Sequence, residues 1–250
     1  DVLETNNIIT VIFDLDGTLL NTLSDLTDSL NVALQEYNFP TRTNEEVKEF
    51  LGGGIRVLVH RALKEHPHSE SDEKNVLAKM HEEYDCRKMH KTNAYLGVPE
   101  LIRDLKALNI KTAVLTNKLD DDAKDIIYHY FGEDAFDVIC GKKDGMLPKP
   151  DPTSLFELIK ELRMHQEEVI FVGDSDVDMQ TALNAGVKKI GVLWGYRELN
   201  ILQAYEPDYL VNEPNEILEI AKANHSDEEE EYIIEDYGDV RDDDFDDDLK

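Results

Sequence analysis

Only two cysteines, Cys86 and Cys140, occur in 250 residues. That is too few, and too widely spaced, for a disulfide framework or a cysteine zinc site, so packed, reduced thiols are expected. No apolar stretch reaches the roughly 18 residues of a membrane span, and the opening DVLETNN lacks the basic and apolar regions of a signal peptide. A cytoplasmic protein with no membrane association is the expectation. Bases are scarce, 26 against 55 acids for a net charge of −29. Such a surface repels phosphate backbones, which excludes general nucleic-acid affinity and makes any phosphate recognition local.

The acidity is uneven. Residues 226–250 hold fourteen acids against Arg241 and Lys250, 2 − 14 = −12, which leaves −17 for the first 225 residues. Blocks of like charge repel one another in any compact form, so this tail is expected to be disordered. Its Tyr232, Ile233, Ile234, Tyr237 and Phe245 are candidates for docking on an unknown partner or pairing with a sheet edge. No signal in the sequence selects an oligomeric state.

The remainder has the makings of a large core, with 41% hydrophobic residues overall. Ile8–Phe13, 111–115, 168–172 and 188–193 are short β-branched or apolar runs without polar alternation, and 136–140 and 209–211 are weaker examples. Such runs belong to strands buried on both faces. Helical patterns at 99–108, 120–130, 153–163, 176–184 and 214–223 separate them, predicting an α/β fold with a Rossmann-like, doubly wound parallel sheet. Residues 22–90 break the alternation. They contain no convincing strand and read as consecutive helices, the first marked by Leu23, Leu26, Leu30, Ala33, Leu34 and Tyr37 and by a Thr22/Asp25 start signal. The expected organisation is an α/β core formed by 1–21 and 91–225, an inserted all-helical cap at 22–90, and the tail at 226–250.

The first strand ends in DLDGT, with Asp14 and Asp16 two apart and addressing the same space beyond its carboxyl end. Open parallel sheets place ligands there. VIFVGDSDVDM at 169–179 is a second buried strand running into acid, with Asp174, Asp176 and Asp178. Two acidic strand ends in one sheet make a pocket for a hard divalent cation, and the composition suits Mg²⁺. Thr116 and Asn117 follow the strand at 111–115, and Lys149 precedes the next helix in LPKPDP. A hydroxyl, an amide and an ammonium are the donors that phosphoryl oxygens require.

Other uses of these residues fare worse. Asp174, Asp176 and Asp178 open like a calcium loop, but Met179 stands where that loop needs glycine and Ala185 where it needs its bidentate Glu. Ser175 with Asp178 is also a helix-start pattern, and Asp151 with Pro152 reads as an N-cap and first helical residue. Gly52, Gly53 and Gly54 follow no strand and lead to no Gly-Lys-Ser/Thr, so they read as a turn between cap helices that lets backbone approach a substrate. His60, His66, His68, His81 and His90 show no zinc-ligand spacing.

In order and spacing, DLDGT, Thr116, Lys149 and GDSDVD resemble the four signatures of the haloacid dehalogenase superfamily of phosphohydrolases, over roughly residues 8–223. Within it the chain is most similar to bacterial phosphoglycolate phosphatases, through FLGGGIRVLVHRAL at 50–63, YLGVPELI, LTNK and LWGY. GKKDG at 141–145 and Leu119 depart from that pattern. The resemblance implies a Mg²⁺-dependent phosphatase of a small phosphorylated metabolite, with 2-phosphoglycolate the leading substrate. Asp14 would attack phosphorus to form an aspartyl phosphate, and Asp16 would protonate the leaving oxygen and later activate water. Asp14, the Asp16 carbonyl and Asp174 would hold the metal with Asp178 in support, and Thr116 and Lys149 would bind the transferring group. Asn117, Gly53 and Arg61 are the candidate substrate contacts, with Arg56 competing for the role of Arg61 and a surface pairing with Glu65 as its bland alternative. Superfamily pyrophosphatases, sugar-phosphate phosphatases or phosphomutases, nucleotidases and a catalytically silent binding protein are the rival expectations.

Overall fold

The structure is a computed structural model that describes residues 7–225, so the expectations for the acidic tail lie outside the described residues. The first strand, β1 (Thr10–Phe13), is buried along its whole length, as its unbroken apolar character requires. Its partners are β4 (Lys111–Leu119) on one side and β6 (Val169–Gly173) on the other, and all three run parallel. With β5 (Val138–Lys142), β7 (Lys188–Val192) and β8 (Tyr209–Val211) they form a six-stranded sheet of order β5-β4-β1-β6-β7-β8. The chain builds outward from β1 in one direction and then returns to build from β6 in the other. The β1/β6 boundary is therefore the topological switch point, where the loops after two adjacent strands diverge and leave a crevice.

Alternation along the strands divides the core in two. Val11 and Phe13 face one layer, packed with residues of α5 (Val98–Ala107), α6 (Asp120–Phe131) and α10 (Pro214–Ala223). Ile12, Ala113, Leu115 and Phe171 face the other, covered by α7 (Thr153–Glu161) and α8 (Asp176–Ala185). The expected doubly wound parallel sheet is observed.

Between β1 and β4 the chain leaves the sheet through a two-stranded antiparallel ribbon, β2 (Leu20–Asn21) with β3 (Asn93–Ala94). It makes four consecutive helices: α1 (Leu23–Glu36), α2 (Asn44–Phe50), α3 (Ile55–Leu63) and α4 (Glu70–Arg87). Their inward positions, including Leu30, Leu34, Val47, Leu58, Leu63 and Met80, form a separate apolar cluster. Thr43/Glu46 and Ser69/Asp72 are complete capping boxes at α2 and α4, each cap being worth about 1 kcal/mol.

The Thr22/Asp25 start signal is not used as expected, since α1 has no side-chain cap. Asp25 is buried and accepts from the backbone N–H groups of Lys91 and Thr92 and from the Thr92 hydroxyl. A buried carboxylate needs several donors, and the chain returning to the sheet supplies them, so Asp25 ties the start of the insertion to its exit. Asp151 likewise sits one position earlier than expected, accepting from Thr153 N–H while Pro152 occupies the N-cap of α7.

Candidate active site

Phe13 is level with Val114 of β4 and Val172 of β6, so Asp14 emerges at the mouth of the switch-point crevice. Beyond it the chain turns back sharply, with N–H groups of Thr18, Leu19 and Leu20 all directed to the Leu15 carbonyl. Gly17 makes the turn at φ +83°, and a Cβ there would lie 2.2 Å from an Asp174 carboxylate oxygen. Only glycine meets both conditions.

Asp14 Oδ1 accepts from Leu15 N–H at 2.7 Å and lies 3.1 Å from Lys149 Nζ, whose other carboxylate partner is Asp178 Oδ1 at 2.7 Å. Asp178 is anchored by the Ser175/Asp178 capping box of α8, as expected, and its Oδ2 also accepts from Asp174 N–H and the Ser175 hydroxyl. Asp174 accepts from the Thr18 hydroxyl at 3.0 Å and from Tyr196 N–H at 2.9 Å. Asp14, Asp174 and Asp178 are all buried, with carboxylate oxygens within 4.8 Å of one another. Burial and the charge of Asp178 raise the Asp14 carboxyl well above the usual range despite Lys149, and the same two causes push Asp174 up to about 7. Lys149 keeps its proton firmly: burial opposes the charge, but Asp14 and Asp178 outweigh it and the net shift is upward. Three buried carboxylates thus share one ammonium, and this excess of negative charge with an all-oxygen donor set fits a hard divalent cation.

Asp16 takes a different course. Its side chain does not join the three-carboxylate cluster; its Oδ1 accepts from the Thr22 hydroxyl at 2.5 Å and lies 2.9 Å from Lys118 Nζ. Of the four expected metal residues, then, Asp16 can offer only backbone to a cation among the other three. The two acids of DLDGT are separated by their partners, one beside Lys149, the other beside Lys118.

The strand at 111–115 extends four residues further than its apolar run implies. Pairing with β5 is interrupted after Leu115 and resumes at Leu119, which keeps Thr116, Asn117 and Lys118 in extended backbone along the site. Thr116 lines the cavity and its Oγ accepts from Lys118 N–H. Asn117 also lines it, but its amide is spent on backbone: Oδ1 accepts from Lys149 N–H, and Nδ2 donates to the carbonyls of Lys149 and Gly52. Its side chain positions the Lys149 loop against the glycine turn instead of standing free for a phosphate.

The roof of the cavity comes from the helical insertion, through Leu26, Leu51, Gly52, Gly54, Leu58 and Tyr84. Gly54, at φ +90°, lets the turn approach so closely that a Cβ would lie 2.9 Å from the Asn117 carbonyl. Gly53 is not among the lining residues, and a Cβ there would meet Val57. Arg61 does not line the cavity either; it is exposed and donates to the Phe50 carbonyl at the end of α2, and it forms no pair with Glu65. Arg56 is exposed as well. A helix C-terminus has carbonyls without intrahelical partners, and that demand captures Arg61.

Among the described residues, the cations that line the cavity are Lys118 and Arg197, neither of which is a candidate site residue of the motifs above. Arg197 follows LWGY; its guanidinium pairs with Asp176 and donates to the carbonyls of Lys48, Glu49 and Leu51, joining the sheet to the end of α2. Tyr196 beside it donates its N–H to Asp174 while its hydroxyl accepts from Thr22 N–H. In the sequence Lys118 shows only as part of the LTNK likeness, and nothing marks Tyr84.

The pattern of the family described as "Haloacid dehalogenase-like hydrolase" matches residues 11–192. A phosphoglycolate phosphatase from Aquifex aeolicus (strain VF5) is 30% identical over 210 residues, covering 84% of this chain and 95% of its own. A protein of Caldanaerobacter subterraneus subsp. tengcongensis that carries the provisional name pyrophosphatase PpaX is 30% identical over 223 residues, covering 88% and 98%. The crystal structure of a predicted phosphoglycolate phosphatase from Haemophilus somnus 129pt superposes with a TM-score of 0.81 at 29% identity, covering 85% of this chain and 97% of that one. A match across most of the chain, on a parallel sheet with acids after β1 and β6, a hydroxyl on β4 and an ammonium in the loop before α7, shows that the chain belongs to the haloacid dehalogenase-like hydrolase family.

Proposed function

We propose that this protein is a Mg²⁺-dependent phosphatase of small phosphomonoesters, acting through an aspartyl phosphate, with 2-phosphoglycolate as its leading substrate. The observation that carries the reading is the separation of the two acids at the end of β1: Asp14 beside Lys149 in the three-carboxylate cluster, and Asp16 held apart by Thr22 and Lys118. Asp14, the Asp16 carbonyl and Asp174 would hold the metal, with Asp178 in support. When bound, the cation neutralises charge at the transferring phosphoryl group and keeps Asp14 ionised.

An Asp14 carboxylate oxygen attacks phosphorus, the bond to the leaving oxygen breaks with its electron pair on that oxygen, and Asp16 supplies the proton. Asp16, now a carboxylate, takes a proton from water; the water oxygen attacks phosphorus, the bond to Asp14 breaks, and inorganic phosphate leaves with both acids restored. Lys149 and the Thr116 hydroxyl stabilise the phosphoryl oxygens, and Asn117 keeps Lys149 in place. The insertion at 22–90 acts as a cap that excludes water and selects the leaving group. The similarity to a protein named a pyrophosphatase supports a second reading, in which the leaving group is itself a phosphate.

Phosphate release from a panel of phosphomonoesters and pyrophosphate, with and without Mg²⁺, tests the reading. Metal-dependent release with 2-phosphoglycolate among the best substrates is expected. No release from any compound would overturn it.

A further inference from the structure

The side chain of Lys118 is 6% exposed and lies where the sheet meets the insertion. Its ammonium has two partners among the described residues, Asp16 Oδ1 at 2.9 Å and the Tyr84 hydroxyl at 2.6 Å, and sits 4.4 Å from the centre of the Tyr84 ring. An ammonium has three N–H donors, so one is left without an acceptor among the described residues. The Tyr84 oxygen accepts from Lys118, which leaves its own proton to donate, and no acceptor for it stands among the described residues. Burial pushes the Tyr84 hydroxyl up to about 12, so it stays a donor at neutral pH. Both groups line the cavity. The other lining cation, Arg197, spends its donors on Asp176 and three carbonyls of α2 and the residue after it.

We infer that Lys118 and Tyr84 form an anion subsite that receives a negatively charged group on the leaving portion of the substrate. The inference rests on the phosphatase reading above, because Asp16 can protonate the leaving oxygen only from within hydrogen-bond reach. A leaving group held at Asp16 therefore lies beside the Lys118 ammonium. A carboxylate or a second phosphate would accept from both unspent donors, in a buried setting where a charge-assisted bond is strong. A neutral alkyl group would leave a buried N–H and O–H unpaired. One donor comes from the sheet and the other from α4, so an anionic leaving group would also hold the insertion against the site.

The test uses the full 250-residue chain. In an Asp14→Asn background with Mg²⁺, calorimetry compares binding of 2-phosphoglycolate, pyrophosphate and methyl phosphate. The anionic ligands should bind at least about tenfold more tightly than methyl phosphate, and Lys118→Met should shrink that preference by roughly tenfold to a hundredfold. Tyr84→Phe, which keeps the ring, should shrink it by about fivefold and guards against a Lys118 variant that fails to fold. Which of the two anions loses its preference identifies the carboxylate or the phosphate as the natural occupant. In the otherwise unsubstituted chain the same variants should lower kcat/KM more for the anionic ester than for methyl phosphate. Equal losses on every ligand would make Lys118 only a positioning residue for Asp16 and overturn the subsite, as would an unchanged preference. Absence of turnover in the unsubstituted chain would instead strike the phosphatase reading, while the binding comparison still decides the subsite.

Discussion

The floor and the roof of the cavity are built on different principles. The floor is made by turns after adjacent parallel strands, where Asp14, Thr116 and Asp174 each directly follow a residue paired in the sheet and Asp178 is held by a helix cap. The roof is made by helices that carry mostly apolar side chains, with Tyr84 the polar exception, and it is joined to the floor by side chains: Arg197 to α2, Tyr196 to Thr22, and Lys88, at the end of α4, to Asp122 and Asp125 of α6. Backbone pairing positions a group through many shared hydrogen bonds, whereas a side-chain bridge depends on one residue. Groups on the floor are therefore held in place by many bonds at once, and the contacts between floor and roof can be altered one residue at a time.

The largest expected effect breaks the floor alone. Asp14→Asn keeps the shape of the side chain but cannot form an acyl phosphate, so kcat should fall by at least about 10⁴-fold while the thermal midpoint holds or rises. Substantial residual turnover would show that Asp14 is not the nucleophile. The midpoint should not drop, because an amide at a site whose carboxyl is raised by burial relieves charge.

An intermediate effect separates the floor's charge from the roof's packing. Asp174 has a folded value of about 7, above its unfolded 3.8, so the folded state binds the proton more tightly. Its contribution to stability is complete below the unfolded value and is lost as pH rises through about 7. The metal-free protein should therefore melt at a lower temperature at pH 8 than at pH 5.5. Mg²⁺ competes with that proton, so it should raise the midpoint more at pH 8 than at pH 5.5; a shift independent of pH would remove these carboxylates as its ligands.

The smallest effects sharpen the comparison within the roof. Arg197→Ala removes the bridge to α2 and should lower kcat/KM by about threefold to tenfold on all esters alike, with a lowered midpoint. Arg61→Ala should change kcat/KM less than twofold on any ester, since among the described residues its guanidinium meets only the Phe50 carbonyl, at an exposed position. A selective loss on 2-phosphoglycolate in Arg61→Ala would return this residue to the site and place its carboxylate on α3.

The parallel sheet was legible because strands buried on both faces must be apolar throughout, and β1, β6 and β7 carry that signal without interruption. The apolar run understates β4 because Thr116, Asn117 and Lys118 are polar, and polar extended backbone at a strand end has no periodicity of its own. Asp14, Asp174 and Thr116 could be placed together from strand ends, and Lys149 from its place before the next helix. The candidate substrate contacts could not: a Cβ at Gly53 would meet Val57, Asn117 clamps backbone, and Arg61 serves a helix end.

By itself the sequence determined the layer architecture, the helical character of 22–90 and the acids that meet at the switch point. These follow from local periodicity and from the rule that neighbouring parallel strands open on one side. Only the tertiary structure decided which cations face the cavity, because a lysine or arginine on a helix or loop goes to whatever unsatisfied carbonyl or carboxylate packing brings near. It sent Arg61 and Arg197 to the end of α2 and left Lys118, between Asp16 and Tyr84, with a donor to spare.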